Sequence, residues 1–346
     1  MAGGDILELF RTPLVLAPMA GGISTVELAL AANRGLALSF LAGGYQRPEQ
    51  LADQIVRFRA AADDQPFGVN LFVPASPSDV VATSVIEGYR EAIRPEAQRL
   101  GVDLAGVDLA SIRIDDWFED KVGYLLAHPV PAVSFTFGLP DQSILQALGR
   151  AGSVLIATVT NPAEALQASA AGVDLLCVQA AAAGGHRATF GNYSGSTLEL
   201  PELLRAVGDV AGVPMIAAGG IASRQDLGDA LDAGAFAVQA GTAFLAAAES
   251  GASAAHKAAL TAPGAETAIT RAFTGRPARG IVNDFMRAHQ AEVPAAYPQV
   301  HALTRPLRQA GAAAGDISVQ ALWAGTKHRQ SSRASAEQIA RDLLSD

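Results

Sequence analysis

The sequence predicts a parallel α/β fold, a (β/α)8 TIM barrel with an elaborated insertion after the third strand and a C-terminal helical extension. Three observations carry this. Short apolar runs alternate with helix-patterned segments along residues 1–250, as in βα units. Most of the runs end in glycine or a lone polar residue, for example Gly21-Gly22, Gly43-Gly44, Gly184-Gly185, Gly219-Gly220 and Gly241-Thr242. Half of the chain is apolar and only 17% is charged, a composition that suits sheets covered by small-residue helices. The 346 residues accommodate one barrel of about 250 residues plus an insertion and an extension.

Taken in order, residues 12–17 (TPLVLA) form the first strand and lead into Pro18-Met19-Ala20-Gly21-Gly22. A helix follows, with Ser24 or Thr25 as its cap and Glu27 as the capping-box acceptor if Ser24 leads. Residues 36–42 make the second strand and 48–61 a helix; residues 66–72 make the third strand, in which the amide of Asn70 needs a partner. The alternation pauses over 74–130, longer than one crossover requires, with helical pieces at 79–100 and 116–128, and this connection is expected to cover the barrel mouth. Strand 130–137, helix 143–151, strand 153–160 and helix 162–171 resume the pattern, with Pro162 favoured in a first turn.

Residues 173–178 are an apolar, strand-forming run that breaks at Gln179 and gives way to Gly184-Gly185-His186-Arg187. Helix 201–210, strand 213–221, helix 223–233 with Ser223 and Asp226 as a capping box, strand 235–240 and helix 243–249 complete the expected barrel. Beyond it, 251–346 lacks a βα pattern. It reads as extended structure at 267–275, a helix at 281–291 and further helical pieces, packed on the barrel and its mouth.

In a parallel barrel the carboxyl ends of the strands hold the chemistry. His186 sits after such a strand beside two glycines and is the candidate catalytic residue. The glycines at 219–220 and 241, at the ends of the last two strands, would let backbone N–H groups close on one phosphate. Asn70, Gln179 and Gln239 place amides at strand ends, where donor and acceptor together suit a flat heteroaromatic ring.

The net charge of −9, with Arg and Lys scattered, provides no face for nucleic acid or anionic lipid. No stretch approaches the ~18 apolar residues of a membrane span and the N-terminus has no signal-peptide pattern, so a cytoplasmic protein is expected. The single cysteine, Cys177, lies inside an apolar strand as a buried thiol, without an intramolecular partner. Six scattered histidines give no metal-ligand spacing, and there is neither a nucleophile elbow nor a Walker loop.

The segments LAPMAGGISTVELA (16–29), PFGVNLFVP (66–74), VSFTFG (133–138), VQAAAAGGHRATF (178–190), AAGGIA (217–222), QAGTAFL (239–245) and TRAFTGRPARGIVNDFM (270–286) resemble nitronate monooxygenase, formerly called 2-nitropropane dioxygenase. The resemblance covers nearly the whole chain. It implies an FMN-dependent TIM barrel that oxidises alkyl nitronates such as propionate 3-nitronate with O2, giving a carbonyl product and nitrite or nitrate, a detoxification of nitro compounds. It implies that Ala17, Pro18, Met19, Ala20 and Asn70 line the flavin, that Gln179, Gly184 and Gly185 continue that contact, and that Gly219, Gly220, Gln239, Ala240, Gly241 and Thr242 hold its phosphate. His186 would hydrogen-bond the nitronate oxygens or take the α-proton of a nitroalkane.

The chain departs from the family pattern, carrying Ala180, Ala182 and Ala188 where Gly, Glu and Gly are usual. The missing carboxylate at 182 removes a partner for His186 or its loop, and the two Gly-to-Ala changes require negative φ or strain. Three other readings compete. One is a flavin-dependent NAD(P)H oxidoreductase of enoyl-ACP reductase or quinone reductase type. The second is a flavin- or phosphate-binding protein with weakened catalysis, and the third a colourless phosphate-sugar isomerase or synthase barrel. The partners implied are a small-molecule nitronate and O2; a homodimer is compatible with the sequence, although no residue pattern specifies one.

Overall fold

The computed structural model describes residues 6–75 and 81–345. The elements run α1 (Ile6–Leu9), β1 (Leu14–Leu16), α2 (Val26–Arg34), β2 (Leu38–Ala42), α3 (Pro48–Ala61), β3 (Phe67–Phe72), α4 (Thr83–Ala92), α5 (Arg94–Arg99) and α6 (Phe118–Ala127). Then come β4 (Ala132–Thr136), α7 (Gln142–Arg150), β5 (Val154–Val159), α8 (Pro162–Ala171), β6 (Leu175–Gln179), the two-residue β7 (Gly185–His186), α9 (Leu200–Gly208), β8 (Met215–Ala218), α10 (Arg224–Asp232) and β9 (Ala237–Ala240). The chain ends with α11 (Ala254–Ala259), β10 (Thr267–Thr270), β11 (Ala278–Ile281), α12 (Asp284–His289), α13 (Gln299–Ala314) and α14 (Ala336–Leu344).

Strands β1-β2-β3-β4-β5-β6-β8-β9 close a parallel barrel, β9 returning to β1 with Gln239 opposite Val15. This is the predicted (β/α)8 architecture. Alternation along each strand divides two cores. Val15, Phe40, Ile156, Cys177 and Ile216 fill the barrel interior, while Leu14, Leu16, Val69, Leu71, Val178 and Val238 face the helices. Phe10 meets Phe236 edge-on at 5.1 Å and helps to close the floor.

The first cap resolves to Thr25, whose hydroxyl accepts from Leu28 N at 2.9 Å, while Ser24 instead receives Met19 N at 2.8 Å and ties down the glycine loop. The capping box at α10 is displaced by one residue. Ser223 accepts from Asp226 N, but the Asp226 carboxylate takes Ala222 N.

Two expectations are corrected. Residues 243–249 do not form the eighth barrel helix; only a short 3-10 turn, Thr242–Phe244, is present. The C-terminal α14 takes that place, packed against α2 and α10. Its Ala336, Ile339, Ala340 and Leu343 make a buried i, i+3, i+4, i+7 stripe, and a Cβ on Gly35 would stand 2.6 Å from that of Ala340. The expected helix at 281–291 starts late, because Ile281 pairs with Thr267 in a strand and Asn283 caps the helix by accepting from Met286 N.

The connection after β3 does contribute helices, α4 to α6; the start of its expected first helical piece at Asp79 lies outside the described residues. Ile86, Tyr89, Ile93 and Ala97 share a core with Phe273, Phe285, Val300 and Leu303, so the insertion and the extension pack as one layer. Beside it β10, β11 and β7 make a small antiparallel sheet, in which His186 pairs with Ala278. Among the described residues no helix is long and apolar enough to cross a membrane.

Candidate active site

A cavity of about 730 Å3 opens at the carboxyl ends of the barrel strands, a volume in the range of small-molecule and cofactor sites. Ala17, Pro18, Met19 and Ala20 line it where β1 ends. Asn70, Gln179, Gly184, Gly185 and His186 line it from β3, β6 and β7, and Gly219, Gly220, Gln239, Gly241 and Thr242 from β8 and β9. Of the predicted catalytic and cofactor-binding residues, Ala240 alone is not on the cavity wall. Strand alternation turns its methyl outward into the helix layer, and only its backbone carbonyl contributes locally, accepting from Ala17 N at 2.9 Å.

One end of the cavity is a glycine cup. Gly219 and Gly220 have φ of +107° and +77°, which only glycine adopts freely, and a Cβ on Gly219 would lie 2.9 Å from Ala183 N. Among the described residues, none accepts the N–H groups of Gly220, Gly241 or Thr242. Gly184 lies so close to residues 324–325 that a Cβ there would meet Gly325 N at 2.5 Å. Gly325 N in turn donates to Thr242 Oγ1 at 3.0 Å. Lys327, ion-paired to Asp226 at the start of α10, brings an ammonium to the same end. Free N–H groups, a hydroxyl and a cation around a cradle that side chains would fill match what a phosphate needs.

The predicted amides serve partly as framework. Asn70 Nδ2 reaches Ser134 Oγ at 2.9 Å and Thr136 Oγ1 at 3.0 Å. Gln179 holds the catalytic-loop candidate: its Nε2 donates to His186 O at 3.0 Å and its Oε1 accepts from Ala188 N at 3.0 Å. Gln239 Nε2 points at Cys177 Sγ, 3.3 Å away, and burial pushes that thiol up to about 12, so it stays protonated. Ala180, Ala182 and Ala188 do not have positive φ, so the alanines are accommodated without backbone strain. Ala182 sits beside Gly220 and accepts from Thr326 N, so a side chain there faces the cup and its covering loop.

The other end is aromatic and cationic. His186 meets Phe137, Tyr297 and Trp323 with ring centroids at 5.8, 5.7 and 5.6 Å, and its Nε2 lies 3.0 Å from Thr274 Oγ1. Burial, with the charges of Arg276 and Arg308 adding to it, lowers its pKa to about 3, so the imidazole is neutral near pH 7. Arg276 stacks 4.0 Å over Phe137 and gives its guanidinium to the carbonyls of Arg187, Thr189 and Gly191, which fixes the loop after His186. Phe137 and Tyr45 both have positive φ, +79° and +65°, the kind of local strain that clusters at functional sites. Among the described residues no group of His, Cys, Asp and Glu side chains is arranged to hold a metal ion.

Sequence reasoning missed the wall supplied by the C-terminal extension. His301, Arg305, Arg308 and Trp323 line the cavity from α13 and the segment after it, and Tyr45 from the β2–α3 loop stacks on His301 at 4.3 Å. The i, i+4, i+7 spacing of His301, Arg305 and Arg308 was a usable signal. Without the fold nothing connected that helix to the barrel mouth.

The family model described as nitronate monooxygenase matches residues 5–346. A Bacillus subtilis (strain 168) protein named "Probable nitronate monooxygenase" is 36% identical over 321 residues, covering 90% of this chain and 89% of the relative. One from Staphylococcus saprophyticus with the same name is 32% identical over 326 residues, covering 92% and 90%. A solved nitroalkane oxidase from Streptomyces ansochromogenes superposes with a TM-score of 0.92 at 42% identity, over 97% of this chain and 96% of that one. FabK from Thermotoga maritima, at 24% identity and a TM-score of 0.74 over 97% and 93%, shares the fold.

Proposed function

The chain belongs to the nitronate monooxygenase family, an enzyme family of oxidoreductases acting on nitroalkanes and nitronates, and from that premise we propose that it is an FMN-dependent enzyme oxidising alkyl nitronates with O2 to a carbonyl product and nitrite or nitrate. The observation that carries the reading is a single cavity with a glycine cup at one end and the aromatic-walled His186 at the other. FMN bound there would supply the electron acceptor for the nitronate and the centre at which O2 is reduced. Gly219, Gly220, Gly241 and Thr242, with Lys327, would hold its phosphate; Ala17 to Ala20, Asn70, Gln179, Gly184 and Gly185 would line its ring and chain.

The protein's own contribution is binding, orientation and charge. Arg276, Arg305 and Arg308 surround the imidazole end, and among the described residues none of the three has a carboxylate within ion-pair distance. An anionic nitronate fits that field better than a neutral compound. His186, neutral and held by Thr274, faces the substrate, and Phe137, Tyr297 and Trp323 keep water from it. The substrate-side wall from α13 shapes the pocket for small nitronates; among the described residues none of the 74–130 connection lines the cavity, and that connection instead backs the extension that does; a cytoplasmic location and a homodimer remain part of the same proposal.

The purified protein should be yellow. Anaerobic addition of propionate 3-nitronate should bleach the flavin and air should restore it, with no reduced nicotinamide added. Bleaching by NADPH but not by the nitronate would replace this reading with a nicotinamide-dependent reductase. A colourless protein that takes up no FMN would remove both.

A further inference from the structure

The extension carries a second imidazole whose proton can be placed. Arg308 is a pure donor. Its Nη2 donates to His301 O at 2.9 Å and stands 3.3 Å from His301 Nδ1, while its Nε donates to Thr304 Oγ1 at 3.3 Å. His301 Nδ1 is therefore an acceptor and the ring proton is on Nε2. Stacking on Tyr45, with ring planes 5° apart, fixes the ring's orientation. Burial and the nearby Arg308 keep the ring uncharged. Among the described residues none bonds to Nε2, and the ring lines the cavity.

His186 is fixed the other way round. Thr274 Oγ1 accepts from Arg276 N at 3.3 Å and is the group that can donate to Arg276 O, at 3.1 Å; among the described residues that carbonyl has no other donor. A buried carbonyl left unpaired is costly, so the hydroxyl proton belongs there. Thr274 then receives His186 Nε2–H, and Nδ1 of His186 is left as a bare lone pair. Both rings are thus the same tautomer but turn opposite ends to the cavity: His186 an acceptor, His301 a donor.

We propose that His301, positioned by Arg308, donates the hydrogen bond that holds an oxygen of the substrate's nitronate group, and that His186, positioned by Thr274, is confined to accepting a proton or hydrogen bond. The inference rests on the nitronate reading above and divides between two residues the two tasks that a single histidine would otherwise perform. No bond to the substrate is made or broken by His301.

The test uses the flavin-loaded full-length protein labelled with 15N-histidine, and nitrate as an unreactive planar oxyanion. Long-range 1H–15N spectra, assigned with His186→Gln and His301→Phe, should show protonated Nε2 and bare Nδ1 on both rings, and nitrate should shift His301 Nε2. Arg308→Met should mix the tautomers of His301 without releasing flavin. His301→Phe, which keeps the stack on Tyr45, should retain flavin and lower kcat/KM for propionate 3-nitronate about tenfold to a hundredfold, the range for losing one hydrogen bond to a charged group. A proton on Nδ1 of His301, an Nε2 signal indifferent to nitrate, or a His301→Phe enzyme within twofold of the parent would each overturn the inference. If the parent holds FMN but turns over no nitronate, the functional reading fails, while the tautomers and the nitrate titration still decide this one.

Discussion

His186 shows how far a side chain's surroundings can move it from its ordinary behaviour. Unfolded, it titrates near pH 6.5; folded, at about 3. The unfolded state therefore binds the extra proton between these values, so its contribution to stability is complete above pH 6.5 and is lost as pH falls toward 3. His256 and His301 are shifted in the same direction by burial. Urea unfolding at pH 7 and pH 5 should show the parent losing more stability than His186→Gln, by about 2 kcal/mol; equal losses would mean that the imidazole is not shielded. Arg276 stands in the same neighbourhood for a different reason. Its guanidinium satisfies buried carbonyls of the 187–191 loop, so Arg276→Met should destabilise the protein by about 3 kcal/mol. It should also raise the protease sensitivity of that loop; a variant with parental melting behaviour would contradict this.

At the level of elements, the cup depends on how closely loops from different strands approach. Gly184 is pressed against backbone at 324–325, where nothing can give except the covering segment itself. Gly184→Ala should therefore lift that segment off Thr242 and weaken FMN binding at least tenfold, measured by flavin fluorescence during titration of the stripped protein. Gly220→Ala is the useful contrast, since its Cβ would meet only Ala182 Cβ, at 3.5 Å. Its cost is the positive φ, about 1–2 kcal/mol, and should appear as a lower Tm with a smaller change in FMN affinity. If the two variants lose FMN equally, the close approach at Gly184 is not what shapes the cup.

For the whole molecule, the decisive feature is that the layer of helices around the barrel is completed by α14, a helix far along the chain from the strands it covers. Without α14 the groove between α2 and α10 would expose the apolar surface around Gly35 and the turn Thr242–Phe244. A chain ending at residue 334 should therefore aggregate or melt well below the parent, although every barrel strand is intact. A truncated protein that stays monomeric and keeps its Tm would show that the eighth position needs no helix. Glu249 accepting from Ala336 N and the Arg34–Glu337 ion pair at 3.2 Å add direction to this packing, but the ion pair is exposed and contributes little.

Much of this was legible in the residues. Apolar runs such as 67–72 and 175–178 are short, the second stopping at the lone amide of Gln179, and length and flanks together favour buried strands over helices. Pro48 and Pro162 open helices where a missing N–H costs nothing, and paired glycines mark the cup because a backbone feature needs no distant partner to be recognised. The two-residue strand period turns the Gln239 side chain to the cavity and the Ala240 methyl to the helix layer. What the order of residues could not determine was every contact whose partners lie far apart along the chain: α14 in the eighth helical position, α13 over the mouth, Thr274 and Arg308 setting which end of each imidazole meets the cavity. Local propensity and period act over a few residues, whereas those pairings are selected by the packing of the closed barrel as a whole.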